Sequence, residues 1–192
     1  MNAAAAPLLI YTGDGKGKTT AALGLAVAAA ACGRRAVVVQ FQKGGGYSGE
    51  LFAQVHLPAL TIRQFGHGCA IAARIKSGEA TCRKCGECFR ANRDPANPYA
   101  ARALAYAAGA LQDERPAVLV LDEISHALRR GLLNPGQVIA LIGSRSPETT
   151  VVLTGRHMPD ELIALADQVT YCRAVKHPMK DLHIDARRGV EY

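Results

Sequence analysis

Between Tyr11 and Thr20 the chain reads "YTGDGKGKTT", with glycines at 13, 15 and 17, lysines at 16 and 18, and paired threonines at 19 and 20. A short apolar run precedes it and an Ala/Leu-rich stretch follows. Glycines at a strand-to-helix turn let several backbone N–H groups converge on one point, where the helix dipole also favours an anion. Lys18 adds a full positive charge, and the Thr19 hydroxyl can ligate Mg²⁺. The chemistry is the binding of a phosphate chain. The register differs from the usual G-x-x-x-x-G-K-[ST] loop. Thr12 stands where the first glycine belongs, Gly13 comes one residue late, and Gly15 and Lys16 are unusual additions inside the loop.

Three further groups could act with it. Asp122 and Glu123 follow the apolar run "VLVL", and an acidic residue at the end of such a strand can reach Mg²⁺ from the side opposite Thr19. The alternative is an acidic helix N-terminus that stabilises its own dipole. Arg156 follows "VVLTG" and is expected on the same sheet edge, where a guanidinium can clamp phosphate. Cys82, Cys85 and Cys88 lie at two-residue gaps and can converge on one metal centre. Cys69 is the natural fourth ligand and His67 a substitute. Both Zn²⁺ and [4Fe–4S] accept four thiolates, and the spacing is like a ferredoxin run without its fourth Cys before Pro. Unliganded loop thiols are the alternative. Cys32 and Cys172 are expected in the packed core.

Alternating apolar runs and helical patterns must position these groups. Strands are expected at residues 8–12, 36–41, 61–65, 117–121, 150–154 and 168–174. Helices are expected at 19–32, at 98–112 with Asn97 as cap, at 134–143 with Pro135 in first position, and at 159–166. The stretch "KGGGYSGE" reads as flexible, and from 66 to 97 nothing is regularly apolar. Strands that are apolar throughout and separated by helices indicate an α/β fold with a mostly parallel sheet covered on both faces. The P-loop makes that sheet P-loop NTPase-like.

The chain of 192 residues has the size of one domain, with the Cys-rich segment at about 66–97 inside it. No apolar run reaches the length of a membrane span. The N-terminus lacks a basic n-region and reads as a first strand, which suggests the cytoplasm. A net charge of +7 suits an anionic ligand, but with 5% aromatic residues and no Trp there is no stacking platform for single-stranded nucleic acid.

Together, "YTGDGKGKTTAALGLA", "VVVQFQKGG…GE", "LVLDEI", "VVLTGRHMPDELIALADQVT", "VKHP" and the terminal "GVEY" resemble the P-loop type of corrinoid adenosyltransferase, the ATP:cob(I)alamin or cob(I)yrinic acid a,c-diamide adenosyltransferase family of vitamin B12 metabolism. The resemblance implies transfer of the 5′-deoxyadenosyl group of ATP onto the cobalt of a cob(I) corrinoid, with release of triphosphate. It implies that Gly13, Asp14, Gly15, Lys16, Gly17, Lys18, Thr19 and Thr20 bind the triphosphate. By the same likeness, Thr19 and Glu123 hold Mg²⁺, Arg156 contacts phosphate, and Lys18 and Arg156 serve catalysis. A cob(I)alamin or cobyrinic acid a,c-diamide-type corrinoid, ATP and an electron donor for Co(II) are the implied partners, and a homodimer is the candidate assembly. Asp14 stands where the family often has Asn. Cys69 and Ile71 stand where it commonly carries aromatic residues that pack against the corrin. Two other functions remain open: a P-loop ATPase in which Glu123 activates water, and an ATP-gated corrinoid or metal carrier.

Overall fold

The computed structural model describes residues 5–45, 48–82 and 85–176. Its strands are β1 (Leu8–Thr12), β2 (Ala36–Phe41), β3 (Leu60–Phe65), β4 (Val118–Asp122), β5 (Thr150–Thr154) and β6 (Gln168–Tyr171). They pair in parallel, in the order β3-β2-β4-β5-β1-β6. Every residue of β2 and β4 is buried, Gln40 and Asp122 included, and the rest of both strands is apolar, as burial on both faces demands.

Helices α1 (Lys18–Ala31), α2 (Glu50–His56), α3 (Ala72–Lys76), α4 (Glu87–Arg93), α5 (Tyr99–Gly109), α6 (Ile124–Arg129), α7 (Pro135–Gly143) and α8 (Asp160–Leu165) connect the strands. α5 runs into a π-helical turn at Ala110–Glu114. At the start of α7 the Asn134 side chain accepts from the Gln137 N–H and the Gln137 side chain returns to the Asn134 N–H, a capping box with Pro135 in the first turn.

Alternation along the strands divides the core. Val38, Val120, Val152 and Ile62 pack with Ala22, Ala26 and Ala30, which recur every four residues on α1. Val37, Val39, Leu119, Leu121 and Leu153 form the opposite layer with alanines of α5 and apolar residues of α7 and α8. Full burial of one such Val or Leu contributes about 1.5–3 kcal/mol.

The chain leaves β1 through α1 towards β2, crossing one face of the sheet. It leaves β5 through α8 towards β6, crossing the other face. β1 and β5 are neighbours whose connections depart in opposite directions, so a crevice opens at their C-terminal ends. The phosphate loop and Arg156 both start there.

The six expected strands agree with the structure to within a residue, except that β6 stops at Tyr171. The expected 168–174 strand is short because the chain turns away after Tyr171 to back the phosphate loop. Between residues 66 and 97, α3 and α4 form without apolar periodicity, and α2 begins at Glu50, inside the stretch expected to be flexible. The "GVEY" match and part of "VKHP" lie outside the described residues. Among those described, no helix is long and apolar enough to cross a membrane.

Candidate active site

The glycines of the loop have two separate reasons to be there. Gly13 and Gly17 hold left-handed backbone, with φ of +100° and +106°, and Gly17 caps α1. Gly15 answers to space: a Cβ on it would stand 2.7 Å from the Cys172 carbonyl oxygen and from the Arg173 carbonyl carbon. Its own N–H donates to that Cys172 oxygen at 2.7 Å. The extra glycine therefore lets the loop lie directly on the segment leaving β6.

Lys18 opens α1 and is buried. Its Nζ donates to the carbonyls of Gly13 at 2.7 Å and Gly15 at 2.6 Å, so the ammonium sits inside the loop. Burial lowers its pKa below the ordinary lysine value; the charge of Glu123 opposes this and that of Arg156 adds to it. An anion in the loop restores the favoured charge balance.

Asp122, at the end of β4, is fully buried and organises the neighbouring groups. Its Oδ1 accepts from the hydroxyls of Thr19 and Thr154, each at 2.7 Å. Its Oδ2 accepts from Gln40 Nε2 and Lys43 Nζ, each at 3.0 Å. Burial pushes this carboxyl up, but the Lys43 charge and the bonds from Thr154, Thr19 and Lys43 outweigh it and hold it below the usual carboxylate range. Lys43 is likewise raised despite its burial, because Asp122 and then Glu50 favour its charged form. Glu50 accepts from both Gln40 and Lys43. The network fixes the Thr19 hydroxyl by using its proton, which leaves the oxygen free to ligate.

Glu123 takes a left-handed conformation, φ +62°, at the head of α6, with its N–H bound to Thr154 Oγ1. Its Oε2 is buried and has no hydrogen-bond partner; His126 Nε2 stands 3.4 Å away. Burial lowers the His126 pKa; Glu123 opposes the shift, and Arg129, Arg130 and Arg156 reinforce it. A buried carboxylate oxygen without a donor, beside the phosphate loop, fits a divalent cation. Arg156 is exposed, and its carbonyl is anchored by Ser125 Oγ at 2.8 Å. Gly155 before it permits that contact, since a Cβ there would overlap the Ser125 hydroxyl.

A cavity of about 440 Å³ opens beside this site, between the loops after β2 and β3 and helices α4 and α6. Phe41, Cys69, Cys88, Phe89, Glu123 and His126 are among its walls. Asn92 of α4 holds the wall together: its Oδ1 accepts from the His67 N–H at 2.6 Å, and its Nδ2 donates to the carbonyls of His67 and Gln42.

The sequence-identified loop residues, Asp122, Glu123 and Arg156 thus meet at one end of the sheet. The thiols do not. Cys82 and Cys85 are exposed, Cys69 and Cys88 half-buried, and no set of three or more potential metal ligands comes together among the described residues. Two expectations are corrected. Cys32 is exposed, because it caps the C-terminal end of α1, and Cys172 is only half-buried, because it lies just past the edge strand β6. Gln40, Lys43 and Glu50 were not legible as site residues, although a glutamine inside "AVVVQF" is the signal that a buried strand carries a polar task.

Among known proteins, residues 5–192 match the family described as ATP:corrinoid adenosyltransferase BtuR/CobO/CobP. A corrinoid adenosyltransferase of Sinorhizobium sp. is 35% identical over 186 residues, 96% of this chain and 79% of that protein. That of Pseudomonas aeruginosa is 33% identical, covering 96% and 83%. That of Escherichia coli (strain K12) is 31% identical, covering 96% and 85%.

Proposed function

The chain belongs to the ATP:corrinoid adenosyltransferase family, and from that premise we propose how its site moves the 5′-deoxyadenosyl group of ATP onto a reduced corrinoid. The cobalt of a cob(I) corrinoid attacks C5′ with its electron pair. The Co–C bond forms, the C5′–O bond breaks, and that pair leaves with the oxygen on triphosphate. Co(I) is itself a strong nucleophile, so the protein supplies no general base. Its task is to hold the phosphate chain and stabilise the departing charge.

The backbone of Gly13–Thr20 cradles the triphosphate, with Lys16 and Lys18 as its cations and Arg156 closing from the end of β5. Mg²⁺ would be held by Thr19 and Glu123 and would neutralise charge on the phosphates; the unpartnered Glu123 oxygen and the Thr19 oxygen ordered by Asp122 support that assignment. The cavity beside the loop takes the corrinoid, with Phe41 and Phe89 as apolar walls. The observation that carries this reading is the position of Glu123, whose charge acts on Lys18 inside the phosphate loop and which also lines the cavity. On this reading one residue would border both the triphosphate and the corrinoid. We further propose that the reaction serves cobalamin synthesis or salvage on a single cytoplasmic domain, with Co(I) supplied by a separate electron donor.

Incubation with ATP, Mg²⁺ and chemically reduced cob(I)alamin tests the proposal. It predicts inorganic triphosphate and an adenosylated corrinoid in equal amounts. Steady ADP and phosphate without corrinoid would establish an ATPase, and binding of both ligands without turnover a carrier.

A further inference from the structure

The thiols of Cys69, Cys82, Cys85 and Cys88 have no part in the transfer described above. Apart from the Asn92 hydrogen bonds, the segment that carries them has no apolar burial to hold it in place. Not one described residue between 66 and 97 is buried. α3 has five residues and α4 seven, and neither has a side-chain cap. Helices that short are marginal without tertiary support. Yet this segment supplies the cavity wall formed by Cys69, Cys88 and Phe89.

The four thiols do not meet among the described residues, but two of them share a cavity wall and a third is tied to the helix that carries one of these. Cys69 and Cys88 line the same cavity. Asn92, one turn beyond Cys88 on the same face of α4, binds both the N–H and the carbonyl of His67, which turns that face towards the loop after β3. Gly86 takes a left-handed turn, φ +74°, between Cys85 and the first turn of α4, where Cys88 lies. Arg90 Nη1 fastens the Cys85 carbonyl to the same helix at 2.8 Å. Cys82 and Cys85 are exposed, and so able to swing onto a shared ion. Arg90 and Arg93 on α4 and Arg74 on α3 supply positive charge suited to a dianionic tetrathiolate centre.

We propose that Cys69, Cys82, Cys85 and Cys88 bind one thiolate-held metal centre, a Zn²⁺ ion or an iron–sulfur cluster, which fixes the wall of the cavity. Thiolate coordination supplies the folding energy that the missing apolar burial cannot. Its role is structural, and it stands or falls independently of adenosyl transfer.

The test uses the full chain purified anaerobically without chelator, with zinc, iron and acid-labile sulfide measured per chain. About one Zn²⁺, or about one cluster with visible thiolate-to-iron absorption, is expected. Zinc alone and iron with sulfide distinguish the two occupants. Cys69→Ser and Cys85→Ser should each lose most of the metal and expose residues 66–97 to limited proteolysis, whereas Cys32→Ser should keep both metal and resistance. Titration of the wild type with Co²⁺ should give the intense visible bands of a tetrahedral tetrathiolate site. Metal-free wild type that takes up neither Co²⁺ nor zinc nor iron and sulfide would overturn the proposal. So would a Cys69→Ser variant indistinguishable from Cys32→Ser in metal content, and both readouts hold even if Cys85→Ser fails to fold.

Discussion

Replacing Gly15 by Ala tests why this phosphate loop carries a glycine that ordinary loops do not need. The new Cβ would lie 2.7 Å from the Cys172 oxygen and the Arg173 carbonyl carbon, and 2.9 Å from the Ala174 nitrogen. All three are backbone atoms, so no side chain can rotate out of the way. Overpacking of this kind costs about 1–3 kcal/mol. If the loop lifts to relieve it, the Gly15–Cys172 hydrogen bond is lost as well, for about 1 kcal/mol more. Gly15→Ala should therefore destabilise by about 2–4 kcal/mol. Gly17→Ala is the control with a different cause: nothing lies within 4 Å of its Cβ, and only its φ of +106° is strained, for about 1–2 kcal/mol. Urea unfolding followed by far-UV circular dichroism gives both values if the m-values agree with wild type. Titration calorimetry should show weaker ATP binding for Gly15→Ala. A Gly15→Ala protein within about 0.5 kcal/mol of wild type, with unchanged ATP affinity, would refute the packing argument.

Lys18→Ala should slow adenosylation from supplied Co(I) by about 10²–10³-fold, the usual effect of losing one preorganised donor; Arg156→Ala should act in the same direction more weakly, as its side chain is exposed. Glu123→Gln should raise the Mg²⁺ concentration needed for half-maximal rate, without converting the protein into an ATP trap, as metal titrations of initial rate will show. Asp122→Asn should cost about 2–4 kcal/mol by unfolding measurements, because it breaks a buried charge network. Asp122 has a lowered pKa, so its stabilisation is present above the ordinary carboxylate range and lost as pH falls through its folded value, below about pH 4. Lys43 has a raised pKa, so its contribution persists below the ordinary lysine value and disappears only as pH rises through its folded value. Wild-type stability should be steeper than that of Asp122→Asn in the acid window, and equal slopes would argue against the network.

The sheet was legible because β1, β2 and β5 are short apolar runs that must be covered on both faces, and their ends carry the Gly-Lys-Thr loop and Arg156. α3 and α4 were not legible, since their residues bury no apolar face and so leave no periodicity in the sequence. α6 was hidden for another reason. It is six residues long and is preceded by Glu123 as its cap, whose left-handed backbone no propensity foretells. Lys43, a further lysine of the site, lies in a glycine-rich stretch that reads as flexible. What orders it is the partnership with Glu50 at the end of the same stretch and with Asp122, and the latter is a long-range contact that local sequence does not encode.

The central claim is displacement at carbon rather than at phosphorus, and the fate of solvent oxygen tests it most directly. The reaction is run in ¹⁸O-labelled water with ATP, Mg²⁺ and cob(I)alamin, and the phosphate products are analysed by mass spectrometry. Cleavage of the C5′–O bond by cobalt predicts triphosphate free of ¹⁸O, in amounts equal to the adenosylated corrinoid. Labelled phosphate accumulating with ADP, at a rate indifferent to the corrinoid, would contradict it.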